Sequence, residues 1–180
     1  MKPPVSILGI SGSLREASSN TAALKAVGAL AAPEANVTLL AGLDALPHFN
    51  PDLDSALDIP SVLDFRRQIE SSDAVVISSP EYAHGVPGTL KNALDWVVGS
   101  GELVDKPVAL INTSQRAMHA QASLREILTT MSAVLVPEAS VTLPLLGRKI
   151  DGAEIVADSE LSSILIRALT ALIYAVGSRR

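Results

Sequence analysis

Residues 74–78 read Ala-Val-Val-Ile-Ser, a run in which four consecutive apolar residues include three that are β-branched. So short and so apolar a run suits a strand covered on both faces. A strand of that kind needs helices above and below its sheet, and the rest of the chain supplies them in alternation. Residues 5–10 form a second apolar run bounded by glycines, Gly9 and Gly12. Over 18–32, Ala22, Ala23, Ala26, Val27, Leu30 and Ala31 recur at helical spacing, with Ser18 or Ser19 as N-cap. A strand over 36–40 follows, then a helix over 60–72 that begins on Pro60, where a missing amide proton costs nothing. Beyond 74–78 come a helix over 89–98, a strand over 108–112 and a helix over 120–132. A fifth strand starts near Val134 and is interrupted by Pro137, which predicts an edge or a bulge, and a final helix closes the chain. Five strands alternating with helices predict an α/β fold: a parallel sheet covered on both faces and joined by right-handed crossovers. At 180 residues, with 48% hydrophobic and 18% charged, the chain has the size and balance of a single domain over 1–180 with one site.

Composition removes several chemistries. Without cysteine there is no disulfide, thiolate nucleophile, iron–sulfur cluster or sulfur-ligated zinc. A net charge of −5 argues against nucleic acid and anionic membranes, which call for a clustered basic surface. The first apolar stretch is cut by Gly9 and Gly12, too early for a secretory signal, so a cytoplasmic protein is expected. The apolar segment 161–176 carries Arg167 near its middle and falls short of the roughly 18–20 residues of a membrane span. It reads as a buried helix, with Leu161, Ile164, Leu165, Ala168, Leu172 and Val176 on one side and Ile166, Leu169 and Ile173 on another. One face cannot bury them all, so part of this helix is expected at an oligomer contact. His48, His84 and His119 fall in separate loops without ligand spacing, so no metal site is expected. Asp44, Asp52, Asp54 and Asp58 share a long loop over 41–58, read as a polar loop at a subunit boundary. Lys91 and Asp95 are spaced to pair across a helical turn, and Trp96 reads as a core or interface anchor.

In an open α/β sheet ligands bind beyond the carboxyl ends of the strands. The turn after the first strand, Gly9-Ile-Ser-Gly-Ser-Leu-Arg-Glu-Ala-Ser-Ser-Asn20, offers glycines, four hydroxyls, an amide and one arginine just before a helix N-terminus. That is an anion site suited to a phosphate monoester. It lacks the Gly-Lys-Ser/Thr of a nucleotide-triphosphate loop, and Ser11 and Leu14 stand where Gly-x-Gly-x-x-Gly needs its second and third glycines. After 74–78 comes Ser79-Pro-Glu-Tyr-Ala-His-Gly-Val-Pro-Gly88, stiffened by its prolines and able to hydrogen-bond the edge of a flat heterocycle. Asn112-Thr-Ser-Gln-Arg-Ala-Met-His119 adds small polar groups at the next strand end.

Taken together, Gly12-Ser-x-Arg-x-x-Ser-x-Asn20, Leu46-Pro-x-Phe-Asn-Pro-Asp-Leu53 and Ser79-Pro-Glu-Tyr-x-x-Gly-x-Pro-Gly-x-Leu-Lys-Asn-Ala-Leu-Asp-Trp96 resemble the NADPH-dependent FMN reductase family, which includes quinone, chromate and azo reductases. The resemblance implies a flavodoxin-like fold of strand order 2-1-3-4-5, bound FMN, NADPH or NADH as co-substrate, a small-molecule electron acceptor, and a homodimer or homotetramer. It implies that Ser13, Arg15, Ser18, Ser19 and Asn20 hold the FMN phosphate, with Ser11 beside them. Pro80, Glu81, Tyr82, Ala83, His84 and Gly85 would border the ring, with Thr113 and Ser114 at the neighbouring strand end. No residue is expected to act as a dedicated acid or base, and Arg116 is a candidate contact for a pyridine-nucleotide phosphate. Relatives often carry asparagine where this chain has Ala83, and glycines where it has Thr113-Ser-Gln-Arg-Ala117. The competing reading is a flavodoxin-like electron carrier without NAD(P)H turnover. Such a carrier usually has a larger acidic charge and aromatic rings on both flavin faces, against one nearby tyrosine here.

Overall fold

The computed structural model describes residues 3–56 and 59–179, so Asp58 of the acidic segment lies outside the described residues. Strands β1 (Val5–Ser11), β2 (Ala35–Leu39), β3 (Ala74–Ser78), β4 (Pro107–Asn112), β5 (Val134–Leu135) and β6 (Val141–Thr142) form one parallel sheet in the order β2-β1-β3-β4-β5, with β6 also on β4. The period of two along each strand sorts side chains between two cores. Ile7, Val76, Ala109 and Ile111 face α1 (Ser19–Leu30), α6 (Gly152–Ala157) and α7 (Ser159–Gly177). Leu8, Ile10, Val75, Ile77, Val108 and Leu110 face α3 (Pro60–Glu70), α4 (Gly88–Val98) and α5 (Met118–Thr130). The expected three layers and flavodoxin-like strand order are therefore present.

Pro137 divides the last strand as the sequence predicts. A 3-10 turn at Pro137–Ala139 separates β5, in register with Pro107 and Val108, from β6, in register with Ile111 and Asn112. The interruption leaves the Leu110 amide without a ladder partner, and the Ser140 hydroxyl accepts it at 3.2 Å while donating to Val136 O at 3.0 Å.

The segment 41–58 differs from the open loop expected. It contains a 3-10 turn at Leu43–Ala45 and a short helix, α2 (Pro51–Ala56), and it is tied to α4. Leu43 and Leu46 are buried, and Pro47 O accepts from Trp96 Nε1 at 2.8 Å and from Asn92 Nδ2 at 2.9 Å. The Asn92 Oδ1 takes the Phe49 amide at 2.7 Å, and the Phe49 ring meets Trp96 edge-on at 5.1 Å. Trp96 is thus a core anchor whose one polar atom is satisfied. Asp54 pairs with Arg66 at 2.7 Å, and Lys91 with Asp95 at 2.6 Å.

Along α7, Leu161, Leu165, Ala168, Leu169, Leu172 and Val176 are buried. Leu169 belongs to this face rather than to the opposite side, because its neighbours at i−4, i−1 and i+3 form one stripe. By length and composition α7 could cross a membrane, yet this stripe packs into the core beside α1 and β4. Ile166 and Tyr174 lie exposed on its outer side.

Asp158 caps α7, its Oδ1 accepting the Glu160 and Leu161 amides at 3.1 and 3.2 Å and its Oδ2 accepting Arg148 Nη2 at 3.0 Å. The Arg148 hydrogen bond, followed by the backbone bonds, lowers its carboxyl from the ordinary value of about 3.8. A depressed carboxylate stabilises the fold above its unfolded pKa and loses that contribution as pH falls through the folded value. Asp158→Asn keeps a capping oxygen without the charge. Its melting temperature should therefore fall less than that of the wild type on acidification below pH 3.8; parallel curves for the two proteins would refute the coupling.

Candidate functional site

The carboxyl ends of β1, β3 and β4 lie side by side, and the turns leaving them meet at one rim of the sheet. The Gly12 amide donates to Ser78 O at 2.8 Å, carrying the β1–β3 pairing into the turn. A side chain at Gly12 has no room: its β-carbon would stand 2.8 Å from Ser79 Cβ. Beyond Gly12, small hydroxyl bonds shape the loop. Ser11 Oγ contacts Thr21 Oγ1 at 2.9 Å and accepts the Ser13 amide at 3.3 Å, while Ser13 Oγ accepts the Arg15 amide at 3.3 Å. Ser18, not Ser19, is the N-cap of α1, accepting the Thr21 amide at 3.4 Å. The Arg15 side chain is exposed and makes no ion pair among the described residues. A free guanidinium next to a helix N-terminus, whose first amides have no intrahelical acceptor, fits a phosphate dianion.

Asn20 and Thr113, both buried, face each other rather than the solvent. Asn20 Oδ1 accepts Ser78 Oγ at 3.0 Å and Thr113 Oγ1 at 3.2 Å, and Ser78 Oγ also contacts Ile111 O at 2.9 Å. This cluster ties the start of α1 to the ends of β3 and β4 through Asn20 Oδ1. Ser78 was not among the expected site residues. Its only sequence signal is a hydroxyl at the end of an otherwise apolar strand. In the β4 turn, buried Asn112 accepts the Ser114 amide at 3.0 Å, and Ser114 Oγ accepts the Arg116 amide at 3.2 Å. The Arg116 residue is exposed.

The β3 turn is a small hairpin. Tyr82 and Gly85 exchange backbone hydrogen bonds at 3.2 and 2.9 Å around Ala83 and His84, whose φ angles are +48° and +58°. Two consecutive left-handed residues form the turn type that favours Asn-Gly, and non-glycine residues there cost about 1 kcal/mol each. The Glu81 carboxylate reaches α5 and accepts the Ala120 amide at 2.8 Å, capping a helix whose own N-cap residue, Ala117, has no side-chain acceptor. Next to this link the rings of His84 and His119 stack at 4.2 Å with a 22° interplanar angle. The histidines expected to stand apart thus meet in one case, joined by the fold across the two turns. Tyr82 and Met118 are exposed beside them, at 58% and 67%.

The result is an open shelf with a phosphate-fitting corner at Ser13–Ser19 and a hydrogen-bonded hairpin at Tyr82–Gly85. Two surface pockets lie elsewhere. One of about 270 Å³ sits at the amino ends of β3 and β4, lined by Asp73, Lys106 and Arg179, and one of about 180 Å³ lies beneath Leu43 and Phe65. At the first, burial lowers the Lys106 amine from its ordinary range, partly opposed by Asp73 and Glu70, and Lys106 Nζ donates to Glu70 O and Ser72 O at the end of α3. That lysine is a helix-end group and not part of the shelf.

Residues 5–145 match the family described as NADPH-dependent FMN reductase. The chain is 31% identical over 177 residues to an NAD(P)H-dependent FMN reductase of Pseudomonas aeruginosa, covering 96% of this chain and 95% of that one. It is 29% identical over 160 residues to a quinone reductase of Escherichia coli, covering 84% of each. Among solved structures it superposes with a TM-score of 0.80 and 30% identity on a flavoenzyme NAD(P)H:(acceptor) oxidoreductase from Paracoccus denitrificans, covering 97% of this chain and 98% of that one.

Proposed function

Because the chain belongs to the NADPH-dependent FMN reductase family, whose cofactor is FMN and co-substrate NAD(P)H, we propose that it passes a hydride from NAD(P)H through FMN to a quinone in a ping-pong cycle. The observation that carries this reading is the junction of the β1, β3 and β4 turns, with unpaired Arg15 and the α1 N-terminus at one corner of an exposed shelf. FMN, when bound, supplies the two-electron hydride chemistry. The chain's part is to hold and orient. Arg15, Ser13, Ser18 and Ser19 with the first amides of α1 receive the phosphate. Pro80–Gly85, with Ser11, Thr113 and Ser114 near the strand ends, borders the ring. Asn20, Ser78 and Thr113 keep the strand ends in register beneath it. Glu81 fixes the β3 hairpin against α5.

The shelf opens to solvent where Tyr82 and Met118 are exposed, which lets the nucleotide and the acceptor occupy one place in turn. Arg116 stands exposed at the same rim, suited to a nucleotide phosphate. The named acceptor of the Escherichia coli relative supports quinone over other small acceptors. We place the protein in the cytoplasm as a homodimer or homotetramer, with the exposed Ile166 and Tyr174 of α7 available for a subunit contact.

The deciding experiment is anaerobic. Addition of NADPH to the FMN-loaded protein should bleach the flavin's visible band, and a quinone added afterwards should restore it. Initial rates at several quinone concentrations should give parallel double-reciprocal lines. A protein that takes up no FMN, or whose flavin stays oxidised under NADPH and NADH alike, would overturn the proposal.

A further inference from the structure

The stacked pair His84–His119 is not the sole link between the β3 and β4 turns. The Glu81–Ala120 hydrogen bond already joins the two turns. Both imidazoles are solvent-exposed, so their contact buries little apolar surface. His84 is the second of the two left-handed residues that form the hairpin tip. Two of the chain's three histidines thereby stand face to face on the rim of the shelf, flanked by the exposed Tyr82 on the same hairpin and the exposed Met118 preceding His119.

Resting on the quinone-reductase reading above, we propose that this pair is the acceptor-binding element. The imidazole N–H groups of His84 and His119 donate to a quinone oxygen, while Tyr82 and Met118 cover the flat ring. The chemistry of the element selects that class. Imidazole edges offer directional donors for a carbonyl oxygen, and the phenol ring and thioether offer apolar, polarisable surface. A hydrated metal oxyanion would gain little from that apolar surface.

The overall step is quinone + NAD(P)H + H⁺ → hydroquinone + NAD(P)⁺. The hydride brings two electrons and one proton, and solvent supplies the second proton. As the electrons arrive the quinone oxygen becomes negative, and a donor already aimed at it is worth more there than in the free quinone. The stack and the Glu81 link hold the donors in place beforehand, so little reorganisation remains at the moment of transfer.

Tetramethyl-1,4-benzoquinone is a suitable probe because its ring carbons are all substituted and do not add nucleophiles. Added to the oxidised, FMN-loaded protein without NAD(P)H, it should shift the imidazole NMR signals of His84 and His119 but not those of His48. In turnover, the double variant His84→Phe/His119→Phe keeps two flat rings and loses every N–H. Its kcat/KM for the quinone, divided by that for ferricyanide, which takes single electrons and no proton, should fall about tenfold, the worth of one lost hydrogen bond. His119→Gln, which restores an N–H, should recover part of that ratio. An unchanged ratio in the double variant, or a quinone that leaves both imidazole signals in place at saturation, overturns the assignment even if the variant binds FMN poorly. Failure of NADPH to reduce the wild-type flavin would instead overturn the reductase reading, and the NMR titration of the oxidised protein is independent of it.

Discussion

Gly12→Ala should release FMN and lower the melting temperature, although it adds a single methyl group. The added carbon would lie 2.8 Å from Ser79 Cβ and 3.0 Å from Leu90 Cδ2. Neither neighbour has room to retreat: Ser79 is 3% exposed and Leu90 is fully buried. The Gly12 amide is itself fixed to Ser78 O, so relief requires the β1 and β3 turns to part. Overpacking of this sort costs typically about 1–3 kcal/mol, and for a domain of this size each kcal/mol lowers the melting temperature by roughly 2–4 °C. The larger effect is on the cofactor, because the displaced turns are the two expected to hold its phosphate and its ring. Thermal unfolding and flavin content per chain measure the two consequences separately. A variant with wild-type melting temperature and full flavin content would show that the approach of these turns is not what shapes the site.

Arg15→Ala combined with Ser18→Ala should weaken FMN binding on the order of a hundredfold, since a hydrogen bond to a charged partner is worth about 1.5–3 kcal/mol and one such partner goes together with a hydroxyl. Ser18 also caps α1, and losing a cap costs about 1 kcal/mol of stability, so Ser18→Asn serves as the control that keeps a capping oxygen. Riboflavin separates phosphate recognition from general damage. It carries the ring without the phosphate, so its affinity should change far less than that of FMN. Equal loss of both flavins, or unchanged FMN content in the double variant, would remove the β1 turn from the phosphate's role.

What the residues disclosed in advance was mostly local. The bounds of β3, Pro60 at the start of α3, a serine cap at Ser18 or Ser19 and the break at Pro137 each depend on a side chain and its immediate neighbours in sequence. The capping box of Asp151 and Glu154 is just as local and both of its reciprocal bonds form, yet α6 was not among the expected elements. The site was legible as a set of turns but not as a set of contacts. Asn20 looks the same in sequence whether its amide faces a ligand or the ends of β3 and β4. Glu81 caps a helix through a backbone amide 39 positions away, and no periodicity reports such a partner. His84 and His119 sit on turns that only the parallel order of β3 and β4 brings together.

The split of the last strand into β5 and β6 bears on how the protein behaves in crowded solution. An open sheet ends in a row of unused amides and carbonyls, a template onto which another chain can zip and polymerise. On this side the row is only two residues long before Pro137 breaks it, and two residues long again after the turn. Neither stub is long enough to seed a growing stack, so the same kink that re-routes one hydrogen bond to Ser140 also keeps this border of the molecule from becoming a nucleus for fibrils.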